Sequence, residues 1–182
     1  MMTEKRVKPN LNPTRTVCFD SETSGLEPFI HRILCITVLD VDTLVFTSFC
    51  EDDEQQLLIN FMAHVKDVKS FIGYNSQSFD APFILQRCMF YGIKISKEFL
   101  NINNQIDLRK HCLGFFLSYN KFQKGKLCQW AEKFGLPVDT EDGSKMPSLY
   151  LKKCWSEIEA HCVEDVKITK ALYDRAKLCG VL

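Results

Sequence analysis

The sequence carries no net charge: 23 Lys and Arg balance 23 Asp and Glu. A chain that coats nucleic acid through bulk positive charge is thereby excluded, because such domains are strongly basic, and any contact with a polyanion has to be local. No Cys-x-x-Cys pair occurs among the nine cysteines. Their odd number, and their place inside apolar runs such as Thr16-Val17-Cys18-Phe19 and Ile33-Leu34-Cys35-Ile36, argue against a disulfide framework. They are expected to be reduced, small core residues of an intracellular protein. The pairs His31/Cys35 and His161/Cys162 lack zinc-ligand spacing. The basic start, Met1 to Asn10, has no apolar stretch behind it, and no long apolar run follows. Neither a secretory signal nor a membrane span is expected, which predicts a soluble, cytoplasmic chain without membrane contact. Eight Gly, six Pro and no repeat exclude collagen-like, low-complexity and disordered classes.

What is present is an ordinary globular composition, 46% hydrophobic and 25% charged, over 182 residues. That length buries a real core and suits one domain. Residues 1–14 are polar and Pro-containing, expected to form a flexible N-terminal arm, with residues 15–182 as a single domain. Three β-branched apolar runs follow: Thr16 to Phe19, Ile33 to Leu39, and Leu44 to Phe49, the last two joined closely enough to form a hairpin. Acids at Glu51 to Glu54 suit a helix N-terminus, and Leu57, Leu58, Phe61, Met62 and Val65 recur at helical spacing. Further expected elements are a strand at Ser70 to Gly73, a helix at Ala81 to Tyr91 with Pro82 near its first turn, and a short strand at Ile106 to Leu108. A broken helical piece follows over 109–125, then a helix from Lys126 to Phe134 stopped by Gly135, a loop from Asp139 to Pro147, and a long helix from Ser156 to Leu178. This order predicts an α/β sandwich with a mixed sheet whose first three strands form a meander.

Three segments carry candidate chemistry. In Val17-Cys18-Phe19-Asp20-Ser21-Glu22-Thr23-Ser24-Gly25-Leu26, an apolar strand runs into two acids whose side chains share one face, since strand side chains alternate. Two such charges side by side need a cation, a basic partner or a shifted pKa, unless they are simply solvated at a strand end. In Phe71 to Ile84, Asp80 stands at the start of a helix, where an acid is commonly a cap. In His161-Cys162-Val163-Glu164-Asp165-Val166, His161 and Asp165 are one helical turn apart, a spacing that surface pairs also show, with Thr169 on the same stripe.

Together, in this order, the segments resemble the DEDD superfamily of 3′-to-5′ exonucleases, with motifs Asp-x-Glu-Thr at Asp20, Glu22 and Thr23, Asn-x-x-x-Phe-Asp at Asn75, Phe79 and Asp80, and a last carboxylate at Asp165. The trailing Pro82-Phe83 looks most like the exonuclease domains of family B DNA polymerases and their stand-alone relatives. The resemblance spans about residues 15 to 175. It implies an RNase H-like three-layer fold, a mixed five-stranded sheet flanked by helices. The family divides by the group that handles the attacking water: a Tyr four positions before the last Asp, or a His five positions before it. His161 stands four before Asp165, the tyrosine slot filled with the histidine chemistry.

The resemblance further implies two Mg²⁺ or Mn²⁺ ions, hard cations suited to oxygen ligands, which lower the pKa of bound water and stabilise the leaving group. By carry-over Asp20 bridges both ions, Glu22 and Asp165 complete one site, and Asp80 serves the other. His161, an imidazole whose ordinary pKa is near 6.5, orients or deprotonates the water. Thr23, Ser24 and Leu26 are placed to cradle the terminal nucleotide and wedge its base, and Asn75 to lie near the sugar-phosphate path, while Phe79 is expected in the core. The run from Leu117 to Lys126 interleaves aromatics and lysines without an acid, so Tyr119, Lys121 and Lys124 suit a single strand of DNA or RNA, or else form a solvated loop. The length accommodates this fold and little more. Specificity is therefore expected from short loops or a protein partner. A structure-selective or RNA-processing nuclease, and a binding module with an idle metal site, remain as alternatives.

Overall fold

The apolar runs of the first half of the chain build the sheet. The computed structural model describes residues 15–113, 125–136 and 143–182, so the expected arm at 1–14 and the candidate residues Tyr119, Lys121 and Lys124 lie outside the described part. Strands β1 (Arg15–Thr23), β2 (Ile33–Asp40), β3 (Phe46–Cys50), β4 (Val68–Gly73) and β5 (Gln105–Asp107) lie in the order β3-β2-β1-β4-β5. The first three form the antiparallel meander read from the sequence, and β4 and β5 join in parallel, making the sheet mixed. The β2–β3 turn is closed by Asp40, whose Oδ1 accepts from the backbone N–H of Asp42 and Thr43 and from the Thr43 hydroxyl. Leu44 takes the left-handed conformation within that turn.

Parallel strands need crossovers, and helices supply them. Helices α1 (Glu54–His64) and α2 (Asp80–Tyr91) precede α3 (Lys97–Leu100), α4 (Leu108–Leu113), α5 (Leu127–Phe134), α6 (Met146–Leu151) and α7 (Trp155–Leu178). Alternation along β1 sorts the layers. Val17 and Phe19 face the core shared with Leu57, Phe61 and Phe83 of α1 and α2, whereas Cys18 faces Val166 and Leu172 of α7. The first core is unusually aromatic: Phe19, Phe61, Phe71 and Phe99 meet edge to face, with centroids 5.1–6.1 Å apart. Each such buried ring contributes roughly 1.5–3 kcal/mol.

Two short helices were not expected. α3, capped by Ser96, carries Phe99 into the aromatic core. The loop expected over Asp139 to Pro147 is helical at its end: a 3-10 turn at Gly143–Lys145 leads into α6, which starts at Met146, has Pro147 in its first turn and buries Met146. Under α1, Glu54 is buried and binds both Arg87 (2.6 and 2.9 Å) and Tyr91, while its Oε1 accepts from the Ile33 backbone N–H at 2.7 Å. One carboxylate thereby pins α1, α2 and the start of β2.

Candidate metal centre

β1 runs four residues beyond its apolar core, so Asp20 and Glu22 lie within the sheet rather than past its end. They share the face of Cys18, beneath α7, opposite Thr37 and Cys35 of β2. A bulge between Glu22 and Thr23 ends the regular pairing there. Ser21, between them, points to the other face, and there it meets Asp80. Asp80 Oδ1 accepts from the Ser21 N–H at 3.1 Å and the Ser21 hydroxyl at 2.5 Å. Asp80 is therefore no helix cap: as the first residue of α2 it is 4% exposed and turned to the strand.

The turn that delivers Asp80 explains its motif. A Cβ on Gly73 would lie 2.4 Å from Ser76 Cβ, so only glycine fits. Asn75 is left-handed, a conformation Asn tolerates, and its N–H donates to Asp107 Oδ1 at 2.9 Å. Its Oδ1 accepts from Arg109 at 2.9 Å. Phe79 packs against the aromatic core, as expected.

From the other face α7 brings His161 and Asp165. His161 Nδ1 lies 2.7 Å from Glu22 Oε1 and 3.8 Å from Asp165 Oδ2. Two overlapping groups result, each with its ligand atoms within 4.8 Å: Asp20, Glu22 and Cys162, and Glu22, His161 and Asp165. Glu22 is the member common to both, whereas Asp80 belongs to neither and touches the centre through Ser21.

The electrostatics are those of crowded acids. Burial, then the neighbouring charge of Asp80, drives the Asp20 carboxyl well above its ordinary range, with Cys162, Asp165 and Glu22 adding to it. Burial carries Asp80 up to about 7, against the lowering effect of its Ser21 bonds. Asp165 rises to about 6, again chiefly through burial, with His161 opposing. Hard oxygens gathered closely enough to resist their own ionisation are a donor set that fits a divalent cation.

The sequence left two residues of this region unassigned. Lys145 lines, with His161, Glu164 and Asp165, a cavity of about 170 Å³, and a Cβ added to Gly143 nearby would lie 3.8 Å from Glu22 Oε2. The turn markers Gly143 and Pro147 around it were the available signal. Cys162 had only its neighbour His161 to recommend it. Of the remaining candidates, Thr23 donates to the Gly25 carbonyl and Ser24 Oγ accepts from the Arg32 N–H, so both hold the β1–β2 loop, while Leu26 is 79% exposed at its tip. The His31 ring folds over Gly25, where a Cβ would lie 2.4 Å from it, so a larger residue there would displace that ring. Among the described residues no helix is long and apolar enough to cross a membrane.

Comparison with known proteins agrees with the fold. An uncharacterised protein of Methanocaldococcus jannaschii is 31% identical over 175 residues, covering 90% of this chain and 96% of the other. The family B DNA polymerase of the archaeon Pyrobaculum calidifontis superposes with a TM-score of 0.70 at 19% identity, over 95% of this chain. This chain spans 25% of that polymerase's length. Residues 17–177 match the family profile of the RNase H superfamily, and the chain belongs to that superfamily.

Proposed function

We propose that this chain is a metal-dependent 3′-to-5′ exonuclease acting on single-stranded nucleic acid, with DNA favoured and RNA the second candidate. The observation that carries the proposal is the convergence of Asp20 and Glu22 from β1, Asp80 from α2 and His161 and Asp165 from α7 at one end of the sheet. The likeness to a DNA polymerase supports DNA as the favoured substrate. Asp20, Glu22, Asp80 and Asp165 are the residues that would hold two Mg²⁺ or Mn²⁺ ions. Such ions supply a hydroxide near neutral pH and relieve the charge that builds on the phosphoryl and leaving oxygens.

The chain's own side chains set the rest. Glu22 fixes the imidazole of His161 through Nδ1; with the proton on that nitrogen, the Nε2 lone pair is the one that orients or deprotonates water. Ser21 holds Asp80 against the strand that bears Asp20 and Glu22. Lys145, in the same cavity as His161 and Asp165, places a cation where phosphate charge would gather. Thr23 and Ser24 shape the loop that presents Leu26 to the terminal base, and Asn75 stands beside Arg109 near the strand's path.

The test uses 3′- and 5′-labelled DNA and RNA oligomers, single-stranded, duplex and branched, with and without Mn²⁺, beside Asp20→Ala/Glu22→Ala. Stepwise loss from the 3′ end, absent without metal and in the double variant, is expected. Internal cuts would make it a structure-selective endonuclease, and binding without turnover a non-catalytic module. A rise in activity through the neutral pH range that persists in His161→Ala would remove His161 from the reaction.

A further inference from the structure

Cys162 is fully buried on α7, with its Sγ 3.5 Å from the Asp20 backbone carbonyl oxygen and 4.0 Å from Asp20 Oδ2, on the side where Cys35 and Thr37 also meet it. Its Sγ and one oxygen each of Asp20 and Glu22 fall within 4.8 Å of one another. Donors on one tetrahedral zinc ion, with bonds of about 2.0–2.3 Å, stand roughly 3.5 Å apart, so these three need to close by only about an ångström. Two of the donors are hard oxygens and the third is sulfur, and the two kinds select different ions. Mg²⁺ and Mn²⁺ take oxygen and water, whereas Zn²⁺ and Cd²⁺ favour thiolate. The sulfur is also the inner neighbour of His161, which already holds Glu22, so an ion drawn toward it shares Glu22 with the imidazole.

We infer that the centre binds ions in two modes: Mg²⁺ or Mn²⁺ through oxygen ligands alone, and a thiophilic divalent ion such as Zn²⁺ through Asp20, Glu22 and the Cys162 thiolate. The second mode is tighter and displaces the working ion, so thiophilic ions switch the centre off. Ligation releases the Cys162 thiol proton, together with any proton held on Asp20, to solvent and involves no change of oxidation state. The inference rests on the carboxylate centre of the proposed nuclease and goes beyond it by naming the ion class that Cys162 admits.

The experiment titrates the full chain with Cd²⁺ in the presence of a phosphine reductant, following the sulfur-to-metal charge-transfer absorption. In parallel, Mn²⁺ binding is read by electron paramagnetic resonance, alone and in competition with Zn²⁺. The expected result is one charge-transfer equivalent per chain, present in Cys35→Ser and lost in Cys162→Ser. The Cys162→Ser variant should bind Zn²⁺ at least tenfold more weakly and Mn²⁺ within threefold of the parent. Absence of the band while Cd²⁺ displaces Mn²⁺, or its persistence in Cys162→Ser, overturns the inference and leaves the carboxylate centre standing. Should Cys162→Ser fail to fold, Asp20→Asn and Glu22→Gln decide: loss of the band ties the thiolate to this cluster, and its retention overturns the inference. Mn²⁺ binding unchanged in Asp20→Asn and Glu22→Gln would remove the carboxylate centre itself, and the inference with it.

Discussion

Replacing Asp80 by Asn should make the metal-free protein more stable at pH 8. The substitution is isosteric and keeps Oδ1 as acceptor for both Ser21 bonds, so the charge is what changes. Burial holds the Asp80 carboxyl at about 7 against an ordinary 3.8. At about 1.4 kcal/mol per pH unit, ionising it in the fold costs up to roughly 4 kcal/mol more than in the unfolded chain. The folded value is the higher one. Its contribution to stability is therefore complete below about pH 4 and lost as pH rises through about 7. The cost of ionisation already includes the Ser21 bonds to the ionised form, and what offsets part of the gain is the Asn amide itself, which places an N–H₂ group in a buried site at a cost of about 1–3 kcal/mol unless it finds an acceptor. A net gain of about 2 kcal/mol remains, or about 4–8 °C in Tm for a domain of this size. Urea unfolding in EDTA between pH 5 and 8 measures it. The parent should lose stability across that range, and Asp80→Asn should lose less. Equal slopes for the two proteins, or a less stable variant at pH 8, would refute the electrostatic account of the centre.

Divalent ions should reverse that order. Mn²⁺ at a hundred times its Kd stabilises the parent by about 2.7 kcal/mol, and thermal unfolding should show this gain abolished in Glu22→Gln. An undiminished Tm shift in that variant would move the ion elsewhere. Glu54→Ala leaves Arg87 buried without its partner and the Ile33 N–H without its acceptor, and should cost on the order of 3–5 kcal/mol in urea unfolding. A cost below about 1 kcal/mol would show that the pair does not anchor β2. Lys145→Ala should reduce Mn²⁺-dependent turnover at least tenfold, measured at a temperature where thermal unfolding shows the variant folded, and parental kinetics would place the lysine outside the reaction.

How much of this was legible follows from range. Asp20 and Glu22 could be assigned to one face because strand periodicity is local, and His161 and Asp165 to one stripe because helical periodicity is. The sheet meander was visible in three apolar runs. What sequence reasoning could not supply were contacts between distant segments. The Nδ1 of His161 meets a carboxylate 139 positions earlier, and Asp80 takes its orientation from Ser21, 59 positions away. Taken alone, Asp80 read as an ordinary cap, and only the strand beside it shows otherwise. The helices α3 and α6 are too short for any periodic signal; each forms around one residue, Phe99 or Met146, whose burial is decided by the rest of the core. Cys162, whose only local mark was the adjacent His161, went unassigned for the same reason: the carboxylates grouped with it, Asp20 and Glu22, lie on β1.

The position of His161, four residues before Asp165 rather than five, has a geometric consequence. One position along a helix is about 100° around its axis. From 161, the imidazole reaches Glu22 on β1 and stays beside Asp165 one turn on. An imidazole at 160, where Ala160 is exposed on the cavity's rim, would start a quarter-turn away from β1 and would not share that carboxylate. Glu22 therefore does two things in this chain: it belongs to both candidate ligand groups, and it holds the ring of His161, the proposed water-orienting group. On the proposed mechanism, ion binding and the orientation of His161 are coupled through one side chain. A change at Glu22 should consequently disturb both the orientation of the His161 ring and metal affinity, which the pH profile of turnover and Mn²⁺ binding measured together would show.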